Sequence, residues 1–162
     1  MTFTSAYATL SEKLSAIYDS REASIIARYM LEDIYQANFW SETEMTEDQI
    51  ILLEDVTQRL LKHEPWQYIG GHADFYGLKF KVNPSVLIPR PETEELVFVA
   101  LDFIKDNDVK SIMDIERGSG IIPITIGIKS QQPLTLLAID ISNDALSIAQ
   151  ENADIHDVFV EF

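Results

Sequence analysis

Cysteine is absent from the 162 residues of the chain, which excludes disulfides and thiolate metal sites. No run approaches the roughly 20 consecutive apolar residues that a membrane span needs. The N-terminus, Met1-Thr-Phe-Thr-Ser-Ala-Tyr7, lacks the basic segment and apolar core of a secretory signal. Cytoplasm is therefore the expected location. Positive charge is also scarce: 12 Lys and Arg stand against 27 Asp and Glu, a formal net charge of −15. Such a surface repels phosphate backbones and disfavours direct nucleic-acid binding. The deficit is deepest between Tyr29 and Gln58, where no Lys or Arg occurs while Glu32, Asp33, Glu42, Glu44, Glu47, Asp48, Glu54 and Asp55 do. That stretch reads either as a solvated acidic face or as a docking surface for a basic protein partner. His63 and His72 have no acid or second histidine at ligand spacing, so both read as surface residues and no metal site is expected.

What is present is an ordinary soluble composition, 46% apolar and 24% charged, at a length suited to one domain or to one small domain plus part of another. The first half is helical in pattern. Tyr7, Leu10, Leu14, Ile17 and Tyr18 recur at helical spacing over Thr4 to Tyr18. Asp19 and Ser20 offer a cap for a second helix carrying Ile25, Ile26, Tyr29, Met30 and Ile34. Ala37 to Ser41 connects, with two aromatics folded back on the core. Thr46-Glu-Asp-Gln49 is a capping box opening a third helix through Ile50, Leu53, Val56, Leu60 and Leu61, stopped by Pro65. Leu78, Phe80 and Val82 then alternate with Lys79 and Lys81 as a half-buried strand. Pairing with Val86 to Ile88 around Asn83-Pro84-Ser85 is expected to complete a β-hairpin.

At Val86-Leu-Ile-Pro-Arg-Pro-Glu-Thr-Glu-Glu-Leu-Val97 an extended apolar run turns into a helix. Pro89 and Pro91 fix φ and push the residues before them away from helix. Pro91 suits the first helical position, and Glu92, Glu94 and Glu95 suit the positive helix start. Taken by itself this is a rigid corner presenting Arg90, Glu92 and Thr93. Beyond it, Leu96, Val97, Val99, Ala100, Phe103 and Ile104 are expected to share one apolar helix face. The remainder reads as strand Ser111–Ile115, glycine loop, helix from Ile121 with Pro123 in its first turn, strand Leu134–Ile139, helix capped by Ser142, and a third strand from Val158. That alternation implies parallel strands with right-handed crossovers. A glycine loop between strand and helix lets a ligand approach backbone at the positive helix end. Asp140 lies about twenty residues on, where an acid accepts hydrogen bonds from ribose hydroxyls. The loop and the acid leave a nicotinamide nucleotide and S-adenosylmethionine equally open.

The run Glu64-Pro-Trp-Gln-Tyr-Ile-Gly-Gly71, then Phe75-Tyr-Gly-Leu78, Lys81-Val-Asn-Pro84 and Leu87-Ile-Pro-Arg-Pro-Glu-Thr-Glu94 resembles the bacterial-type protein-(glutamine-N5) methyltransferases that modify peptide chain release factors. The resemblance covers essentially the whole chain and is most specific at the Pro-Arg-Pro-Glu-Thr-Glu corner. It implies an α/β fold: a helical substrate-docking domain over 1–71, a linking β-hairpin over 72–90, and over 91–162 the first half of a Rossmann-like class I methyltransferase sheet. It implies S-adenosylmethionine as cofactor, a release factor as protein partner, and methyl transfer to the glutamine of a Gly-Gly-Gln motif. Asp114, Gly118, Ser119 and Gly120 match the family loop for the methionine end of the cofactor. Asp140 matches the ribose acid, and Arg90, Glu92 and Thr93 match the corner beside the pocket.

Two departures stand against full activity. Glu116 replaces the loop's first glycine and Arg117 a small residue; the glutamate blocks close approach and adds negative charge beside a carboxylate-bearing ligand, so weakened cofactor binding is expected. The family's Asn-Pro-Pro-Tyr, which orients the target amide for in-line attack, does not occur, so no catalytic residue is assigned. The first parallel strand is also expected to keep an uncovered edge, prone to aggregation or pairing. The chain is thus expected to be a fragment of a longer protein, or a truncated product that oligomerises through that edge. The rival readings are a non-catalytic release-factor-binding module and a nicotinamide-dependent oxidoreductase fragment. The second of these lacks the third glycine of the dinucleotide fingerprint.

Overall fold

Local capping decides where the first helices begin. In the structure, a computed structural model that describes residues 1–115 and 118–162, α1 spans Phe3–Leu14 and opens on a capping box between Thr2 and Ser5. The carboxylate of Asp19 accepts from the backbone N–H of Arg21 and of Glu22, starting α2, Ser20–Tyr35. The expected capping box of α3, Glu47–Leu61, forms in both directions: Gln49 N–H donates to Thr46 Oγ1 and Thr46 N–H to Gln49 Oε1. A short α4, Trp66–Gly70, follows Pro65. The first helix ends sooner than its apolar spacing suggests. Ser15 Oγ donates back to the carbonyl of Ser11, and Ile17 N–H to Leu14, which tightens the chain into turns before Asp19.

The chain divides into two compact units, Met1–Gly70 and Gly71–Phe162. Leu10, Leu14, Met30, Leu31, Val56 and Leu60 are buried at the centre of the first. Tyr35 packs edge-on against Phe3 with centroids 5.8 Å apart, and its hydroxyl donates to the carbonyl of Gln49 at 2.9 Å.

The second unit holds two small sheets. β1, His72–Phe75, pairs antiparallel with β2, Leu78–Lys81, in the register His72↔Lys81 to Phe75↔Leu78. The hairpin expected between 78–82 and 86–88 is therefore displaced. Tyr76 (φ 53) and Gly77 (φ 74) take the two positive-φ places of a tight turn, which matches strand twist better than a turn at Asn83-Pro84 would. Asn83 instead closes a turn, its Oδ1 accepting from Ser85 N–H and its carbonyl from Val86 N–H, and 86–88 join no strand on the way to Pro89.

Pro91 begins α5, Pro91–Asp106, with Glu92 and Glu94 in its first turn. β3, Ser111–Ile115, then runs parallel to β4, Thr135–Ile139, from Ser111↔Thr135 to Ile115↔Ile139. The crossover is α6, Ile121–Lys129. α7, Asn143–Ile155, is capped by Ser142, and a parallel bridge places Glu161 beside Leu137. The core gathers Phe75, Phe80, Val97, Ile104, Ile124 and Leu136. α5 departs from its expected single apolar face: Val97 and Ile104 are buried, whereas Leu96, Val99 and Phe103 are 53%, 61% and 62% exposed. At 100° per residue, positions 97 and 104 point one way and 96, 99 and 103 another, so a helix this apolar has more greasy surface than one core covers. No described helix is long and apolar enough to cross a membrane.

Burial pushes the Tyr35 phenol up to about 12 from its ordinary 10.0. The fold thus favours the neutral phenol: this stabilisation is complete below pH 10 and is lost as pH rises toward 12. Tyr35→Phe should lose about 0.5–1.5 kcal/mol at neutral pH with the hydrogen bond. In urea melts across alkaline pH, the gap between native and variant should narrow above pH 10.

Candidate functional site

The corner and the glycine loop meet in the second unit. A small cavity of about 50 Å³ is lined by Leu87, Ile88, Pro89, Arg90, Thr93, Asp114 and the segment from Gly118 to Ile122. Six of the eight residues singled out from the sequence are therefore brought together there: Arg90, Thr93, Asp114, Gly118, Ser119 and Gly120. Asp140 stands next to them at the end of β4. Its Oδ2 accepts from Gly118 N–H at 3.0 Å and its Oδ1 from Ser142 N–H at 2.8 Å. Glu92 is exposed and lines no part of the cavity. Glu116 and Arg117 lie outside the described residues. Among the described residues no cluster of His, Cys, Asp and Glu could hold a metal.

Each part has a local cause. Arg90 sits at the N-cap of α5 without a side-chain cap bond, because a guanidinium has no acceptor to offer the first-turn N–H groups, and Pro91 supplies the fixed φ that starts the helix. Gly120 caps α6 at φ 74, and a Cβ there would come within 3.1 Å of Ile124 Cδ1 and 3.2 Å of Ala149 Cβ. Backbone angle and close helix approach both call for glycine at that position. Ser119 is 1% exposed, and its Oγ has no hydrogen-bond partner among the described residues.

Two residues hold the site through bonds that the sequence does not show. Asn152, fully buried on α7, donates through Nδ2 to the carbonyls of Ser119 at 2.9 Å and Lys81 at 3.0 Å, and accepts from Lys81 N–H at 2.7 Å. One carboxamide thus pins β2 to the glycine loop. The available signal was a lone amide on the buried side of α7, in line with Ala145, Ile148 and Ala149. Glu94 is the second. Its Oε1 accepts from Tyr76 N–H at 2.6 Å and ties the hairpin turn to the start of α5.

The polar groups suit a nucleoside ligand in kind. A carboxylate has about four acceptor sites, so Asp140 retains capacity for hydroxyl donors after taking two N–H bonds. The N–H groups of Ile121 and Ile122 fall in the first turn of α6, where an anionic ligand group is favoured. The cavity itself admits only a fragment of such a molecule.

A glycine loop with an acid after the next strand is a pattern shared by several ligand-binding classes of α/β protein, and comparison with known proteins narrows the choice. Residues 5–71 match the family described as PrmC N-terminal domain. A release factor glutamine methyltransferase of Streptococcus pneumoniae is 46% identical over 108 residues, covering 67% of this chain and 38% of the relative. The one from Staphylococcus aureus is 38% identical over 145 residues, covering 84% and 50%. That of Flavobacterium psychrophilum is 35% identical over 159 residues, covering 93% and 55%. Over most of its length the chain is similar to the N-terminal portion of release factor glutamine methyltransferases. It spans about half the length of the curated relatives it matches, from 38% to 55% in these three.

Asn152→Leu should leave three backbone groups around the loop without partners and cost about 2–4 kcal/mol in denaturant unfolding. Asn152→Ser, which keeps one polar atom, should fall between. A native-like midpoint for the leucine variant would show that the amide is dispensable.

Proposed function

We propose that this chain supplies the substrate-docking and cofactor-holding portion of a release factor glutamine methyltransferase. In this reading the helical unit docks a peptide chain release factor, and the second unit is the first part of a Rossmann-like sheet for S-adenosylmethionine. The observation that carries it is the convergence of Arg90 and Thr93 with Asp114, Gly118, Ser119 and Gly120 around one cavity, with Asp140 bonded to the loop. Gly118 to Gly120 and Asp114 would hold the methionine end, and Asp140 the ribose hydroxyls. When bound, the cofactor supplies an electrophilic methyl group for transfer to the side-chain nitrogen of the glutamine in a Gly-Gly-Gln motif. The chain's own residues bind and orient; none is assigned to the transfer step, for which the family uses an Asn-Pro-Pro-Tyr that this sequence does not contain.

A non-catalytic release-factor-binding module is the second reading, and the 50 Å³ cavity favours it. Calorimetric titration with S-adenosylmethionine separates the two. The intact chain should show no saturable heat at micromolar concentration, because Glu116 stands where close approach is needed. Restoring small residues with Glu116→Gly and Arg117→Ser should tighten binding by about tenfold or more, a difference of about 1.4 kcal/mol. Binding that stays absent in the restored loop would leave the docking module; micromolar binding by the native chain would reject the penalty assigned to Glu116. Retention of a release factor on the immobilised chain, with no methyl transfer in the same tube, is expected in either case.

The apolar surface of the second unit bears on its partners. Met113 and Ile115 on β3 are 54% and 71% exposed, and β4 is the only strand paired with β3 among the described residues. A parallel strand with exposed apolar side chains and one open edge is a pairing template. We propose that copies of the chain associate through this edge. Light scattering should report a mass above that of one chain, and Met113→Lys with Val99→Glu should return it to that of a monomer. A monomeric native chain would rule the association out.

A further inference from the structure

The helical unit carries an exposed aromatic. Trp40 is 65% exposed on the segment that follows α2. It is not a loosely held side chain. The backbone N–H of Trp40 donates to Asn38 Oδ1 at 2.9 Å, Ser41 N–H donates to the carbonyl of Asn38 at 2.8 Å, and Thr4 N–H donates to the carbonyl of Ser41 at 3.1 Å. The ring packs against Phe39 at 4.9 Å and Tyr7 at 6.0 Å, and Phe39 and Tyr7 lie 5.0 Å apart. A three-ring cluster on backbone tied to α1 thus presents an indole to solvent at little further entropic cost.

The surroundings state what chemistry it suits. Phe39 and Trp40 line an open groove of about 380 Å³ together with Glu32, Gln36, Ala37 and Asn38. Glu42 and Glu44, just beyond Trp40, are exposed. On α2, one turn before Glu32, Arg28 has its Nε 3.7 Å from that carboxylate and its guanidinium 5.0 Å from the ring of Tyr29. That pair is half exposed and weak, so the groove keeps a net negative rim. An anchored tryptophan rimmed by carboxylates matches a guanidinium, which stacks on the indole face while its N–H groups reach carboxylate oxygens. The same rim repels nucleic acid and acidic surfaces.

We propose that the groove lined by Phe39 and Trp40 is a docking surface for an arginine-bearing basic segment of a protein partner, with Trp40 as anchor, Glu32 as the carboxylate on its wall and the exposed Glu42, two residues beyond Trp40, as a second. The inference stands apart from the cofactor site, and loss of one leaves the other intact. It is tested on the full chain with a short arginine-rich peptide, followed through the two indole N–H resonances, which Trp40→Phe and Trp66→Phe assign. The peptide should move the Trp40 signal saturably and leave Trp66 still, while a glutamate-rich peptide of equal length should do nothing. Trp40→Ala should weaken binding by about tenfold or more, as truncation of an interface anchor does. Trp40→Phe should fall between, which guards against a folding defect. Glu32→Gln with Glu42→Gln should also weaken it, whereas Asp48→Asn with Glu54→Gln on α3 should not. Equal binding by Trp40→Ala and native chain, or equal loss from either pair of charge removals, would overturn the proposal and leave a diffuse acidic surface.

Discussion

The side chain of Asn152 is the constraint on which the second unit depends. Helix α7 and strand β2 are separated by 71 positions in sequence, yet one buried carboxamide satisfies both the N–H and C=O of Lys81. Its remaining N–H reaches the carbonyl of Ser119. Lys81 is the last residue of β2, and Ser119 sits in the loop that starts α6. At these two places regular structure ends and the backbone has no ladder or helix partner of its own. Buried backbone groups of that kind cost on the order of 1–3 kcal/mol each when unpaired. The amide therefore lets the hairpin and the glycine loop end against α7 without that cost. Glu151, next in sequence, pairs with the ammonium of Lys81 on the surface, but as a half-exposed ion pair it contributes little beside the buried amide.

A second tie acts at the other side of the hairpin, where Glu94 accepts from Tyr76 N–H. Tyr76 holds a positive φ that a non-glycine residue adopts reluctantly. The carboxylate thereby rewards a strained turn residue and sets the start of α5. Because Arg90 precedes Pro91 at that start, the position of the corner relative to the loop follows from the hairpin. The glutamates of the corner divide their work accordingly: Glu94 bonds inward, and Glu92 stays in solvent, where its negative charge suits the helix N-terminus.

This division explains what could and could not be read from the residues in order. Caps were legible because their chemistry is local: Asp19, Thr46 with Gln49, and Ser142 each start the helix their side chains imply. The parallel pairing of β3 with β4 was legible because apolar strands flank an apolar helix of crossover length. The hairpin was misplaced because Asn83-Pro84-Ser85 looks like a stronger turn than Tyr76-Gly77, and only the pairing of Phe75 with Leu78 reveals which one closes. Helix α5 was misread for a related reason. Apolar content cannot tell which of two greasy stripes meets the core. At the candidate site, short-range motifs named the loop, the corner and the ribose-type acid, while Asn152 and Glu94 act across 18 to 71 positions and leave no local pattern.

The two units differ most in how well they cover themselves. In the first, the large exposed apolar residues among those described are few: Met1, Ile25, Trp40 and the adjacent Ile51 and Leu52. Of these only Trp40 stands in an aromatic cluster beside a groove. In the second, exposed apolar side chains recur on consecutive elements, from Leu96, Val99 and Phe103 on α5 to Met113 and Ile115 on β3 and Ile139 at the end of β4. Large contiguous patches are uncommon on monomeric surfaces. A formal charge of −15 opposes like-with-like association at low ionic strength, yet screening over about 8–10 Å at physiological salt removes most of that barrier. For the association proposed above, electrostatics would therefore keep chains apart only at a distance, and apolar burial at short range would decide the outcome.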